Sequence, residues 1–486
     1  MACRSLRGYL NLMRSDAMGG ERVRFWRRVD FYGLWAVAFF LGVSSCGPGE
    51  AERRASDPRP NILLISLDTT RADHLSAYGY ERETSAALDA FADDGVLFET
   101  AYAPSATTGP SHASLFTSLS PASHGVTKNG KNLGMSWTTV AEVLASSGYE
   151  TAAVVSSYVL ASRFGYDQGF EHFDEDFSQA EVPVGVTLWE GEEVHGKFYG
   201  RADDTTRRAV DWLEERPRKE DPFFLFVHYF DPHDPYTLPD GYVPPFRPGP
   251  SEALKKNRVI YMYDAALAYM DQELGRLLNA LGPLGLDENT LVVITGDHGE
   301  GLMEHGHWHH GIHIYEEGVR VPLVLRWPGH IDQGRRIQSP VSLVDLAPSL
   351  LALSGVPSES SFLGESLAEV LTGQAELDPD RPVWLYRRHY AEGDDAVELD
   401  ASGEQWGLRE GRWKLISGIR EGVLELYDLK SDPGETVNLA DRHPEVAARM
   451  QLTLDRWLAV QPRGGPPAAP IDEEVRQRLE ALGYVE

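Results

Sequence analysis

The segment T-T-G-P-S-H-A-S-L-F-T-S at 107–118 sets small hydroxyls, a Gly-Pro pair and a histidine ahead of an apolar run. Pro110 suits the first turn of a helix, where a missing N–H costs nothing. Ala113, Leu115, Phe116 and Leu119 give that helix a buried face. Thr108 then stands at the helix's positive end, where free N–H groups favour an alkoxide, a sulfate or a phosphate. Plain helix capping by Thr107 or Thr108 would use the same oxygen. A neutral threonine is a poor nucleophile, so catalysis at Thr108 requires a metal or a base beside it.

Three other segments supply candidates. Asp68 follows the apolar run N-I-L-L-I-S (61–66), Asp297 and His298 follow T-L-V-V-I-T (290–295), and F-F-L-F-V (223–227) leads into His228, Asp231 and His233. In an open α/β sheet, ligands bind beyond the carboxyl ends of the strands. A lone Asp there is usually a turn or cap residue, but three runs delivering acids and imidazoles to one edge point to a metal or anion site. Asp68, Asp297 and His298 are the residues to hold a metal beside Thr108. Downstream, E-H-G-H-W-H-H-G-I-H holds His305, His307, His309, His310 and His313, dense enough to line such a site.

These residues need a scaffold. Strand-length apolar runs alternate with helical patterns: helices at 84–95, 138–148, 202–216, 261–282 and 341–355, and strands at 61–66, 149–157, 223–229, 290–295 and 321–329. The alternation predicts an α/β fold, a large mostly parallel sheet sandwiched by helices. Past residue 375 the pattern changes. P-V-W-L-Y-R-R, Q-W-G-L-R-E-G-R-W-K-L-I-S and V-L-E-L-Y-D-L-K-S-D-P-G-E read as short aromatic strands of a smaller C-terminal antiparallel sheet. A helix follows at 443–460. The predicted organisation is a catalytic domain over 59–375, an antiparallel subdomain with its helix over 376–463, and a linker with a terminal helix over 464–486.

The 486-residue chain carries a formal net charge of -29. Such acidity argues against nucleic acid as a partner, and an anionic substrate would need a metal or local positive charge. The two cysteines, Cys3 and Cys46, cannot build a disulfide framework. Near the start, R-V-R-F-W-R-R is followed by F-Y-G-L-W-A-V-A-F-F-L-G-V and then S-S-C-G. A basic segment, a short apolar segment and a small-residue zone make a secretory signal. V-S-S-C resembles a lipobox, which predicts a leader over 1–45, lipidation of Cys46, a tether over 46–58, and an exported, membrane-anchored lipoprotein of the cell envelope. Met1 and Met18 both remain as starts.

The motifs resemble the sulfatase family of the alkaline phosphatase superfamily. The likeness spans residues 59–460, through P-N-I-L-L-I-S-L-D-T-T-R-A-D, the 103–126 segment, F-F-L-F-V-H-Y-F-D-P-H-D-P-Y, T-G-D-H-G-E-G-L-M-E-H-G, Y-E-E-G-V-R-V-P-L-V-L-R-W-P-G and G-R-W-K-L-I with E-L-Y-D-L-K-S-D-P-G-E. The resemblance implies a divalent cation and hydrolysis of sulfate or phosphate esters. Typical members carry C-x-P-S-R, whose first residue becomes formylglycine; here the segment is T-G-P-S-H, so Thr108 takes the nucleophile position, His112 replaces arginine, and no formylglycine is expected. The two acids expected after the first strand are Asp68 and Thr69, the Asp-Asn pair is Asp297-His298, and V-S-S-Y (155–158) replaces G-K-W-H.

The implied chemistry is double displacement at one divalent cation bound by Asp68, Thr108, Asp297 and His298. His112, His233 and His310 would contact the substrate's oxygens or protonate the leaving group, with His228 and Lys128 as further substrate contacts. Mixed Asp/His/Thr ligation suits Zn or Mn better than Ca. No D-x-x-x-H element is present, which favours one cation, although His233 two residues after Asp231 leaves room for another. The substrate would be a small-molecule, glycan or lipid-headgroup ester. Alternatives are a phosphodiesterase or phosphoglycerol-type transferase, and a surface lipoprotein that binds anions without turnover.

Overall fold

The computed structural model describes residues 59–177, 187–189, 192–194, 199–248, 255–390, 403–418 and 422–461. The leader, Cys46, the tether and the terminal helix expected within 464–486 lie outside the described residues. Strand β1 (Asn61–Leu67) is buried along its whole length. Its neighbours are β5 (Phe223–Tyr229) and β6 (Thr290–Gly296), both parallel to it and equally buried. Near-continuous apolar runs are what a sheet covered on both faces demands.

Beyond β5 lie β3 (Glu150–Val154) and β4 (His172–Asp174), also parallel. Beyond β6 lie β7 (Arg320–Arg326), β2 (Val96–Tyr102) and β8 (Arg335–Ile337). The order is β8-β2-β7-β6-β1-β5-β3-β4, and a short pair, Val341–Ser342, completes nine strands beside β2. β7 runs antiparallel to both β6 and β2, so the sheet is mostly rather than wholly parallel. β2 is a strand that the alternation of apolar runs does not predict: V-L-F-E-T-A-Y begins directly after a helix stop, with two polar residues at its centre.

Helices α2 (Thr108–Thr117), α3 (Val140–Ser146) and α6 (Leu346–Leu353) cover one face, through Ala113, Leu115, Phe116, Val140, Leu144, Leu346 and Leu350. Helices α1 (Ala86–Asp93), α4 (Ala202–Glu215) and α5 (Lys255–Leu281) cover the other. Thr139 starts α3 with a reciprocal capping box to Glu142, the arrangement that satisfies two orphan donors at once. Along β1, Ile62, Leu64 and Ser66 face α2, while Leu63, Ile65 and Leu67 face the other layer. That alternation sets which strand residues can reach Thr108's helix.

The C-terminal sheet is antiparallel: β9 (Val383–Tyr390), β10 (Gly403–Glu410), β11 (Trp413–Gly418) and β12 (Val423–Asp428). Its Leu408, Leu415 and Leu426 pack on α7 (Pro444–Val460) through Ala447, Met450 and Leu454. The opposite face packs Val383, Leu385, Ile416 and Tyr427 on Tyr102, Ala106, Ile314 and Val319 of the large domain. Ala106 lies two residues before Thr108, so the second sheet braces the approach to α2.

One buried ion cluster fastens this interface. Lys414 on β11, with a side chain 0 % exposed, lies 2.9 Å from Glu435 Oε1 and 3.0 Å from Glu316 Oε1. Glu435 also accepts the Glu316 N–H at 2.6 Å, and the Tyr102 hydroxyl bonds Glu316 at 3.1 Å. Removing one partner of a buried ion pair strands the others at about 3–5 kcal/mol. Lys414→Met is therefore expected to lower unfolding free energy by about that amount, read from urea midpoints at constant slope.

A second prediction concerns the turn after α2. The Val126 N–H donates to His124 Nδ1 at 3.1 Å, which leaves Nε2–H to donate to Ser114 Oγ at 3.0 Å. Protonating Nδ1 would set one donor against another, and burial holds this imidazole down at about 3. Because the folded value lies below the unfolded one, near 6.5, stability is full above pH 6.5 and falls as pH drops toward 3. His124→Asn keeps an acceptor for Val126 without titrating and should make this acid slope shallower, measured as urea midpoints between pH 7.5 and 4.5.

Candidate active site

The carboxyl ends of β6, β1 and β5 lie side by side. Leu67 pairs with Gly296 on one side and Tyr229 on the other, so Asp68 and Asp297 leave the sheet at the same level. Asp297 Oδ1 accepts the backbone N–H groups of Thr69 at 3.2 Å and His298 at 2.7 Å. Those two bonds leave Oδ2 buried without a hydrogen bond, and both oxygens of Asp68 are in the same condition. Ligand atoms of Asp68, Asp297 and His298 all fall within 4.8 Å of one another.

The loop after β1 is bent to make this possible. Thr69 has φ +49°, a left-handed conformation costly for a β-branched residue, of order 1–3 kcal/mol. The Tyr263 hydroxyl from α5 holds it there, donating to the Thr69 carbonyl at 2.8 Å and accepting the Arg71 N–H at 3.0 Å. On the other side, Gly299 follows His298 so closely that a Cβ would meet the Glu317 carbonyl at 2.0 Å.

Thr108 opens α2 and is 0 % exposed. Neither Thr107 nor Thr108 spends its hydroxyl on capping: Thr107 makes no side-chain cap bond, and Thr108 Oγ1 lies 3.1 Å from His298 Nε2. The tautomer of His298 is set by its surroundings. Its Nδ1 lies 2.8 Å from the Gly299 carbonyl, which can only accept, so Nε2 presents a lone pair to Thr108. His298 Nε2 also stands 3.5 Å from Asp68 Oδ1 and from Asp297 Oδ2. A histidine whose outer nitrogen donates to a carbonyl is the usual arrangement of a metal ligand. Two residues outside every sequence motif fix the start of α2: Asn129 accepts the Gly109 N–H at 2.7 Å, and the Tyr166 hydroxyl donates to the Gly109 carbonyl at 2.7 Å. Ser111 ties α2 to β6 by donating to the Asp297 carbonyl at 2.6 Å.

The other predicted residues sort into different places. His112 is at the centre, but both ring nitrogens are engaged: Nδ1 donates to the Thr108 carbonyl at 2.8 Å and Nε2 accepts from Ser66 at 2.9 Å. These two bonds tie the start of α2 to β1. His228 pairs with Ser66 across β5 and β1 and is 0 % exposed, as Thr108 and Asp68 are. His310 stands over the centre, its ring 4.4 Å from that of His298 and 5.0 Å from that of His233. Glu300, which ends the G-D-H-G-E segment and carries no signal of its own there, holds His310 Nδ1 at 3.3 Å. His233 stacks on Phe230 and donates Nδ1–H to the Asp234 carbonyl at 2.8 Å.

Lys128 is half-buried on the loop that delivers Asn129, and its neighbour Lys131 bonds Thr127 and Gly125. Asp231, whose spacing to His233 suggests a cation ligand, accepts the Ala202 N–H at the start of α4; here cap chemistry wins. Of the histidine-rich loop, His305 binds Glu317 and stacks on Tyr315, and His307 lies tilted against His313 with ring centroids 4.1 Å apart, so these rings build the loop while His310 faces the centre. Tyr390 of β9 donates to the Gly311 carbonyl at 3.1 Å, joining that loop to the second sheet. In V-S-S-Y, Ser156 bonds Thr205 of α4.

Burial sets the charge of the whole centre. It pushes the Asp68 and Asp297 carboxyls well above their usual range, reinforced by Glu300 for Asp68 and by Asp68 for Asp297. It also holds His112, His298 and His233 well below the usual imidazole range, and His228 and His310 at about 3. Two buried carboxylates facing one another with three of their four oxygens lacking a donor, ringed by neutral imidazoles, are expensive unless a cation satisfies them. The donor set of Asp68, Asp297, His298 and Thr108 fits a divalent cation of the Zn or Mn type.

Comparison with known proteins agrees with this geometry. The sulfatase family model matches residues 60–356, and the model for the N-sulphoglucosamine sulphohydrolase C-terminal region matches 303–459. The N-acetylglucosamine-6-O-sulfatase of Bacteroides thetaiotaomicron is 26% identical over 489 residues, spanning 82% of this chain and 85% of that protein. A solved structure in complex with its substrate D-glucosamine-2-N,6-O-disulfate superposes with TM-score 0.66 at 24% identity, covering 83% of this chain and 99% of that one. The phosphonate monoester hydrolase of Agrobacterium radiobacter shares the fold with TM-score 0.67 at 23% identity over 86% of this chain and 99% of that one. With more than half its length matched by the family model and its acids and imidazoles gathered at the expected sheet edge, this chain belongs to the sulfatase family of hydrolases.

Proposed function

We propose that the protein hydrolyses monoanionic sulfate esters, with Thr108 as nucleophile and a divalent cation held by Asp68, Asp297, His298 and Thr108. The observation that carries this reading is the Thr108 hydroxyl, uncommitted to capping, 3.1 Å from His298 Nε2 beside three carboxylate oxygens that lack hydrogen bonds. When bound, such a cation lowers the pKa of a hydroxyl and polarises an ester oxygen. The positive end of α2 favours charge developing on Oγ1. Asn129 and Tyr166 fix the Gly109 peptide, so the hydroxyl is aimed before substrate arrives. Oγ1 attacks sulfur, the bond to the leaving alcohol breaks, and water then releases sulfate and restores threonine. His310 and His233 line the approach; with Nδ1–H given to Glu300 and to the Asp234 carbonyl, each leaves Nε2 as an acceptor, able to take a proton from the attacking water.

A phosphodiester reading also finds support, because a threonine in the nucleophile position with an Asp-His pair departs from formylglycine chemistry. Glycan sulfates are the favoured substrate class, given the sugar sulfatase among the relatives. The signal segment and Cys46 support export and lipid anchoring in the cell envelope.

Matched sulfate monoester, phosphomonoester and phosphodiester substrates, assayed with added Zn, Mn or Ca, test the reaction class; turnover of phosphomonoesters alone would overturn the sulfate reading. Thr108→Ala should reduce turnover by about 10³-fold or more, while Thr108→Ser retains part of it. Peptide mass spectrometry of residues 101–120 after rapid quenching should show an adduct of about 80 Da on Thr108, one SO3 or HPO3 unit. Chelator treatment should lower unfolding free energy by about 2.7 kcal/mol relative to protein with cation at 100 times its Kd, measured by denaturation with and without added metal.

A further inference from the structure

The cation of the proposed mechanism uses one side of the two aspartates and leaves a group unexplained on the other. His228 is 0 % exposed, and neither ring nitrogen makes a hydrogen bond. A buried imidazole with both nitrogens unpartnered is rare, because each costs the desolvation of a polar group. An apolar side chain at this strand position would pack without that cost, and among the described residues nothing partners either nitrogen.

Its surroundings say what would. Nε2 of His228 points at Asp68 Oδ2 from 3.5 Å, whereas His298 approaches the other oxygen, Oδ1. On the far flank, His112 Nδ1 lies 3.6 Å from Asp297 Oδ2, and the His112 and His228 rings sit 5.1 Å apart, edge to face. Ligand atoms of His112, His228 and Asp297 all fall within 4.8 Å of one another. Ligands about 2.1 Å from a tetrahedral cation stand roughly 3.4 Å apart, close to the separation of His228 Nε2 from Asp68 Oδ2; His112 would enter through Nε2, since its Nδ1 proton goes to the Thr108 carbonyl. The hydroxyl of Ser66, on His112 Nε2, can rotate away or act as a further donor of a lone pair.

We propose that His228, His112 and Asp297, flanked by Asp68 Oδ2, form a second divalent-cation site beside the first and sharing Asp297 with it. The donors, two imidazoles and carboxylate oxygen, suit Zn or Mn. The site differs from the pairing of Asp231 with His233 considered on sequence, since Asp231 caps α4. This inference rests on the cation reading under Proposed function.

The test counts cations on the full chain. Protein stripped by chelator, dialysed against MnCl2 and freed of excess is expected to hold two Mn per chain by elemental analysis, with the spin-coupled EPR signal of a close pair. His228→Leu, of similar bulk, should hold one Mn and lose the coupling. Crystals soaked in zinc should show two anomalous peaks a few ångströms apart, a readout that stands even if the variant fails to fold. One cation in the wild type, or two retained in His228→Leu, would overturn the second site while leaving the first intact. No cation at all would overturn both readings.

Discussion

Two carboxylates that water does not reach, with most of their oxygens lacking a donor, are the constraint around which this molecule is arranged. Asp68 and Asp297 leave adjacent parallel strands at the same level, so the sheet itself brings like charges together. Among the described residues no cation offsets them directly: the imidazoles nearby are neutral, and Arg71 is committed to Asp73 and Glu304. The cost is carried by the large buried core, by backbone donors to Asp297 Oδ1, and by whatever positive charge occupies the gap. A helix whose positive end carries an unspent hydroxyl completes the arrangement. Catalytic competence and local instability thus share one origin.

Much of this is legible in the sequence. The apolar runs of β1, β5 and β6 are unmistakable because both sheet faces are covered, and each run gives way to acids and imidazoles rather than to ordinary turn residues. Asp68, Asp297 and His298 are found by that rule, and Thr108 by the helix start beside it. The rest is hidden for physical reasons. β2 begins directly after a helix stop, and its partly exposed middle interrupts the apolar signal. Asn129 and Tyr166 act on a backbone amide and carbonyl of Gly109, a role any polar residue in any loop could fill. His112 and His228 look alike in sequence as imidazoles near the site; only the strand register and the bond to Ser66 show that they lie on the Ser66 side of the two aspartates.

Histidine does different work at each position. His310 packs its ring against those of His298 and His233. His298 turns its lone pair toward Thr108. His112 and His228 flank the outer oxygens of the aspartates. Each well-placed ring orients itself by giving its Nδ1 proton to a backbone carbonyl, as His298, His112 and His233 do. Backbone geometry, which the fold holds rigid, therefore dictates protonation at the centre. Further out, the same residue type is spent on packing, as with His305 stacked on Tyr315, so abundance of histidine in the loop overstates its share of chemistry.

The docking of the second sheet has an evolutionary corollary. Its inner face touches Ala106 and Ile314, and its edge residue Tyr390 holds Gly311, yet none of its side chains enters the aspartate centre among the described residues. Deleting the sheet would strip support from the segment that leads to Thr108 and from the loop that carries His310. In lineages of this architecture the second sheet therefore has to be inherited with the first, as one module.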